Sequence, residues 1–137
     1  MDAWGVATLA VDAGLVVLVW LVQRIIYPAF ADIEPARFRE YHRGYGARIA
    51  QVVVPLMVAQ AALHGRGLLV AADPVALAAA GGIVAAWAVT FLGAVPCHRR
   101  LAVAGCEAGL LRRLLRWNLM RAVAWTLVLG LVLVDLR

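Results

Sequence analysis

The stretch Pro96–Trp125, PCHRRLAVAGCEAGLLRRLLRWNLMRAVAW, closes one apolar run, crosses an Arg-rich connection and opens a second apolar run that already carries a charge. At the ~100° per residue of an α-helix, Leu110, Leu111, Leu114 and Leu115 fall on one side and Arg112, Arg113 and Arg116 on the other. That division predicts an amphipathic helix over about 107–117 lying at the headgroup level of an anionic leaflet. Continued further, the same helix places Asn118, Arg121 and Trp125 on the Leu110/Leu114 side. Arg121 therefore leaves the solvated face of the other arginines and enters a packed one, where a charge calls for a partner within the protein.

Outward from this stretch the chain is mostly apolar. Of 137 residues 65% are hydrophobic and only 15% charged, too apolar for a single soluble core. A helix needs roughly 20 apolar residues to cross a hydrocarbon layer about 30 Å thick. Segments 4–27, 47–63, 75–96 and 119–136 supply four such runs. The expected fold is an all-α integral membrane protein, a four-helix transmembrane bundle in one domain. Every basic residue is Arg, and the net charge is +5. The arginines crowd the first and third connections, with Arg66 alone at the second, which predicts basic loops in the cytoplasm and both termini outside. Topology thus accounts for the charge, and no nucleic-acid partner is expected. Met1-Asp2 lacks the positive start of a signal peptide, so Ala29-Phe30-Ala31 is not expected to be cleaved. Cys97 and Cys106 fall on the expected cytoplasmic side, where a disulfide is not expected.

In the first run, Asp12, Val16, Gln23 and Tyr27 share a face that should point at protein. Asp12 is a carboxylate inside a span, read either as functional or as hydrogen-bonded or snorkelling toward the near end. Pro28 ends this run, and the polar connection interleaves Phe30, Phe38, Tyr41 and Tyr45 with arginines, rings suited to the headgroup layer. A short surface helix is expected to start at Pro35. The second run carries His42, Ile49, Val53, Leu56 and Gln60 in one stripe with Tyr45 beside it, and Pro55 should kink it. His64 falls at the opposite end from His42 and His98. In the third run, Ala78, Gly82, Ala86 and Gly93 form a small-residue seam, while Trp87, Phe91, Ala94 and His98 share another face.

Antiparallel neighbours bring four polar sets to one end of the bundle: Gln23 and Tyr27, His42 and Tyr45, Thr90 and His98, Asn118 and Arg121. Two readings stay open for the histidines. In one, His42 and His98 bind copper, iron or haem, or serve as an acid–base pair. Arg121, Asn118 and Tyr27 then join His98 in the chemistry, while Gln23, Tyr45 and Trp125 orient a substrate. In the other they are interfacial residues that only hydrogen-bond.

The succession Gln23-x3-Tyr27-Pro28-x-Phe30, Tyr41-His42, Thr90-Phe91-x4-Pro96-x-His98-x2-Leu101 and Trp117-Asn118-x2-Arg121-x3-Trp125 resembles small bacterial four-span proteins of unknown function. More distantly, it is similar to the anthrone-oxygenase-like membrane family. The resemblance implies a multi-pass protein of the bacterial inner membrane and a cofactor-light oxygenase acting on a lipophilic ring compound, with His42, His98, Asn118 and Arg121 as the positions carried over. The leading expectation is a membrane oxidoreductase or oxygenase whose partners are the lipid bilayer and a lipophilic small molecule. The alternative is a non-catalytic accessory or assembly subunit, or a homo-oligomer, docking through Gly82 and Ala86.

Overall fold

The computed structural model describes residues 2–135 and contains helices joined by short turns. Four helical units, Ala3–Asp32, Pro35–Val70, Pro74–Ala104 and Ala108–Asp135, are each long and apolar enough to cross a membrane. The expected end of the fourth span at Leu136 lies outside the described residues.

The first unit is α1 (Ala3–Leu21), a π-helical turn (Val22–Ile26) and a 3₁₀ turn (Pro28–Asp32). Helix α2 (Pro35–Val70) is the second unit. The third is α3 (Pro74–Val89), a second π-helical turn (Thr90–Ala94) and α4 (Val95–Ala104); α5 (Ala108–Asp135) is the fourth. The starts follow from capping chemistry. The Asp2 carboxylate accepts the Gly5 amide at 2.8 Å, and that of Asp73 accepts the Val75 and Ala76 amides at 2.8 and 2.9 Å, with Pro74 in the first turn. Gly105, at φ 89°, ends α4 in a conformation that side chains disfavour.

One expected boundary dissolves, and one expected continuation is present. The surface helix from Pro35 and the span from 47 form one 36-residue helix, and the amphipathic segment 107–117 runs straight into the fourth span. No proline interrupts Pro35–Val54, and none follows Pro96. At 1.5 Å per residue α2 reaches about 54 Å, so its Arg-bearing turns extend well past an apolar layer about 30 Å thick. Pro55 sits inside α2 without ending it.

Both π turns stand just ahead of a proline. The Tyr27 amide bonds to the Val22 carbonyl at 3.0 Å and the Val95 amide to that of Thr90; Pro28 and Pro96 follow directly. A proline ring collides with the carbonyl four residues back, and a widened turn relieves that collision. One added residue slips the helical phase by about 100°. The slip falls immediately before Tyr27 and before His98.

The helices form a ring in which α1 packs on α2 and α5, and α3 packs most extensively on α5; contact between α2 and α3 is sparser. The α3–α5 seam is built of small residues, with buried Ala79 in place of the expected Ala78, which is exposed. A Cβ on Gly82 would stand 2.7 Å from Val128 Cγ2. One on Gly93 would run into the Trp117 ring, 2.5 Å from Cε3 and 2.6 Å from Cγ. Gly82 thus faces α5, and Ala86 lies fully buried in the cluster that includes Ala122 and Trp125 of the same helix. Of the four rings assigned to the headgroup layer, only Tyr41 is exposed. Phe30 and Phe38 are fully buried and Tyr45 nearly so, in a cluster with Tyr27, Cys97, Leu101 and Leu114. Aromatic edge-to-face contacts, such as Phe30–Tyr45 at 5.2 Å between centroids, hold them there.

Candidate functional site

The Arg-rich end of the bundle holds two hydrogen-bonded chains. In the first, the Tyr27 hydroxyl lies 2.8 Å from His98 Nε2, and His98 Nδ1 lies 2.9 Å from His42 Nε2. A neutral imidazole has one donor and one acceptor nitrogen, so the chain runs in one of two directions. Either Tyr27 donates to His98 and His98 to His42, or His42 donates to His98 and His98 to Tyr27. A proton that enters at one end and leaves at the other reverses the whole line. Phe38 stacks on His42 with centroids 5.4 Å apart, and Tyr27 meets the His98 ring edge-on at the same separation, which holds both imidazoles in place.

In the second chain the Asn118 amide nitrogen donates to Gln23 Oε1 at 2.9 Å and to the Val19 carbonyl at 3.3 Å. Its oxygen accepts from Arg121 Nη2 at 2.7 Å. Asn118 is fully buried and carries no charge, so it aims Arg121 without neutralising it. The guanidinium lies 5.1 Å from the centroid of the Trp125 ring.

The two chains meet at a cavity of about 460 Å³ lined by residues of all four helical units. Tyr27, His42, Tyr45, His98, Arg121 and Trp125 supply its polar wall, and Val19, Val22, Met57 and Ala94 are among its apolar residues. Arg39, Arg43 and Arg99, all exposed, line it as well. Six of the eight expected site residues therefore share one cavity. Gln23 and Asn118 do not line it; they stand behind Arg121 as positioning residues. Thr90 lines the cavity, with its hydroxyl donated to the Ala86 carbonyl at 2.8 Å.

Buried polar atoms without a partner include the Tyr45 hydroxyl, Arg121 Nε and Trp125 Nε1, all three on residues of this cavity. Burying such groups unpaired costs free energy, on the order of 1–3 kcal/mol each, unless something meets them.

The expected metal role for His42 and His98 does not fit this donor set. Both His98 nitrogens are engaged, one by Tyr27 and one by His42, and the described residues contain no group of three or more His, Cys, Asp or Glu side chains able to hold a metal ion. A copper or iron ion held by protein side chains alone therefore has no assembled ligand set among the described residues. Cys97 and Cys106 are free thiols, and burial pushes the Cys106 thiol up, away from its metal-binding thiolate form.

Sequence reasoning missed the π turns, because a widened turn leaves no mark on composition. It also left Asp12, Gln60 and His64 as separate residues, although they meet toward the other end of the bundle. Gln60 Nε2 donates to Asp12 Oδ1 at 2.7 Å, and His64 Nε2 lies 2.9 Å from Asp12 Oδ2. The signal was present: Gln60 and His64 are four residues apart on α2, hence on one face, and Asp12 faces inward from α1.

No protein-family model matches the chain, and neither a curated protein nor a solved structure matches it. Fold and site together define an all-helical protein with four membrane-length apolar helices and a mostly apolar cavity bearing an imidazole pair and a buried guanidinium.

Proposed function

We propose that this protein is a membrane oxidoreductase of oxygenase type that acts, without a metal, on a lipophilic small molecule in the cavity. In this reading the Arg-rich end faces the cytoplasm, both termini lie outside, and the membrane is the bacterial inner membrane. One observation carries the proposal: the Tyr27–His98–His42 chain lies in the wall of a mostly apolar cavity, beside three donors with nothing to bind.

His42 takes a proton from an activated C–H of the bound molecule at Nδ1. Its Nε2–H then donates to His98 Nδ1, and His98 Nε2–H donates to Tyr27, so the new charge is shared along the chain. The electrons left on the substrate move toward its oxygen, where Arg121, Trp125 and Tyr45 stabilise them. Such a carbanion reduces dioxygen directly. Oxidation of a methylene to a carbonyl by dioxygen, with release of water, balances without a cofactor.

Oxygen consumption by detergent-purified protein, with anthrone as the probe ring ketone, tests this. Turnover should fall by about 10²–10⁴-fold in His42→Gln and His98→Gln, the usual contribution of a positioned acid–base group. Oxygen uptake no faster than the uncatalysed reaction, or unchanged in both folded variants, refutes it.

A further inference from the structure

We infer that the ligand of this cavity is an oxyanion on an apolar body, whose negative charge is the missing counter-charge of Arg121. The inference rests on the cavity being the binding site proposed above, and it adds the charge of what binds there.

Arg121 is 7% exposed and lies on the packed side of α5, yet no carboxylate answers it. Among the described residues the one salt-bridge contact is His64 with Asp12, toward the opposite end of the helices. No Asp or Glu lines the cavity, whereas Arg39, Arg43 and Arg99 join Arg121 there. The partner that Arg121 does have, Asn118, is neutral. A buried cation left uncompensated is costly, and the cost is removed when an anion meets it in fork geometry.

The unpartnered atoms fix the sign independently. Arg121 Nε and Trp125 Nε1 carry hydrogens and no acceptor lone pair, and the Tyr45 hydroxyl donates as readily as it accepts. A cationic headgroup would find only the Tyr45 hydroxyl as an acceptor and would be repelled by the guanidinium. A neutral carbonyl would satisfy the donors but leave the guanidinium charge unmatched. A carboxylate, phenolate or phosphate oxygen does both. The rest of the wall, including Val19, Val22, Met57 and Ala94, takes only an apolar body.

Three probes of equal chain length separate the possibilities: decanoate, 1-decanol and decylamine. They are titrated calorimetrically into the protein in phosphatidylcholine nanodiscs, at a pH where the acid is ionised. Decanoate should bind about 10–100-fold more tightly than decanol, as a charge-assisted bond to buried donors implies, and decylamine most weakly. In Arg121→Gln the advantage of the acid should vanish while decanol affinity stays within about threefold. If that variant does not fold, the wild-type ranking decides alone. Tyr45→Phe and Trp125→Phe should each weaken decanoate by roughly 3–10-fold. Equal binding of acid and alcohol to wild type overturns the anion assignment while leaving the cavity reading intact; binding of none of the three overturns both. Displacement of decanoate by added phosphatidylglycerol supports the assignment with a lipid headgroup as the source of the oxyanion. Failure of phosphatidylglycerol to displace it supports a free amphiphile.

Discussion

Glycine-to-alanine exchange at three helical positions gives a graded test of how the helices approach one another. In an exposed helix interior the exchange favours the folded state by up to ~1 kcal/mol, because alanine has less backbone freedom to lose. At Gly14 nothing lies within 4 Å of the new methyl, so the gain should appear undiminished. At Gly82 the methyl meets Val128 Cγ2 at 2.7 Å, the end of a branched side chain that a small helix shift can clear, and the net effect should be near zero or about 1 kcal/mol unfavourable. At Gly93 it enters the face of a large ring, at 2.5 Å from Cε3 and 2.6 Å from Cγ of Trp117. Carbon atoms pack at about 3.5–4.0 Å, so roughly 1 Å of movement is needed between the third unit and α5. That movement should cost about 2–3 kcal/mol or more, the upper range for overpacking. Trp117 is also the residue before Asn118, so the shift should loosen the support of Arg121 and weaken ligand binding. Reversible unfolding in mixed detergent micelles reads the order: Gly14→Ala above wild type, Gly82→Ala near it, Gly93→Ala well below. Pairing Gly93→Ala with Trp117→Leu should recover at least 1 kcal/mol of non-additivity. A Gly93→Ala protein as stable as wild type, with no coupling to Trp117, refutes the close approach of these helices.

Two further outcomes follow from the buried polar groups. Asp12→Ala removes the acceptor of Gln60 Nε2 and the partner of His64, and since Gln60 Oε1 is already unpartnered it should cost roughly 2–3 kcal/mol. Asp12→Asn, which keeps an acceptor oxygen, should cost about half that in the same unfolding assay; equal stability of all three proteins would show the cluster to be unimportant for the fold. Exhaustive chelation and dialysis should leave decanoate binding and oxygen uptake unchanged, because His98 spends both nitrogens on Tyr27 and His42. Loss of either activity that copper or iron restores would reinstate a metal role for the two histidines.

Much of the architecture was legible residue by residue. Four apolar runs became four long helices, and the inward stripe of α2, from His42 through Gln60, holds its two buried polar residues where a period of 3.6 places them. The four polar helix ends do share one end of the bundle. Misreadings came where two physical signals gave the same pattern. Rings among arginines suit a headgroup layer, yet Phe30, Phe38 and Tyr45 do so equally well as an aromatic core capped by charged residues. A polar stretch ahead of an apolar run looked like a separate helix, but without a proline or cap between them helical hydrogen bonding simply continued through 35–70.

The amino-acid sequence alone determined the helices, their apolar length and the face on which Arg121 travels, because these depend on local periodicity and transfer energies. Tertiary structure decided what those faces meet. The π turns before Pro28 and Pro96 shift the phase ahead of Tyr27 and His98, and periodicity counted along a regular helix does not contain that shift. It also decided that the partner of Arg121 is neutral Asn118, and that the Arg121 Nε, Trp125 Nε1 and Tyr45 hydroxyl atoms are left without a partner. Whether a charge is compensated depends on every neighbouring element at once, so the site's most telling property emerges only when the helices are packed together.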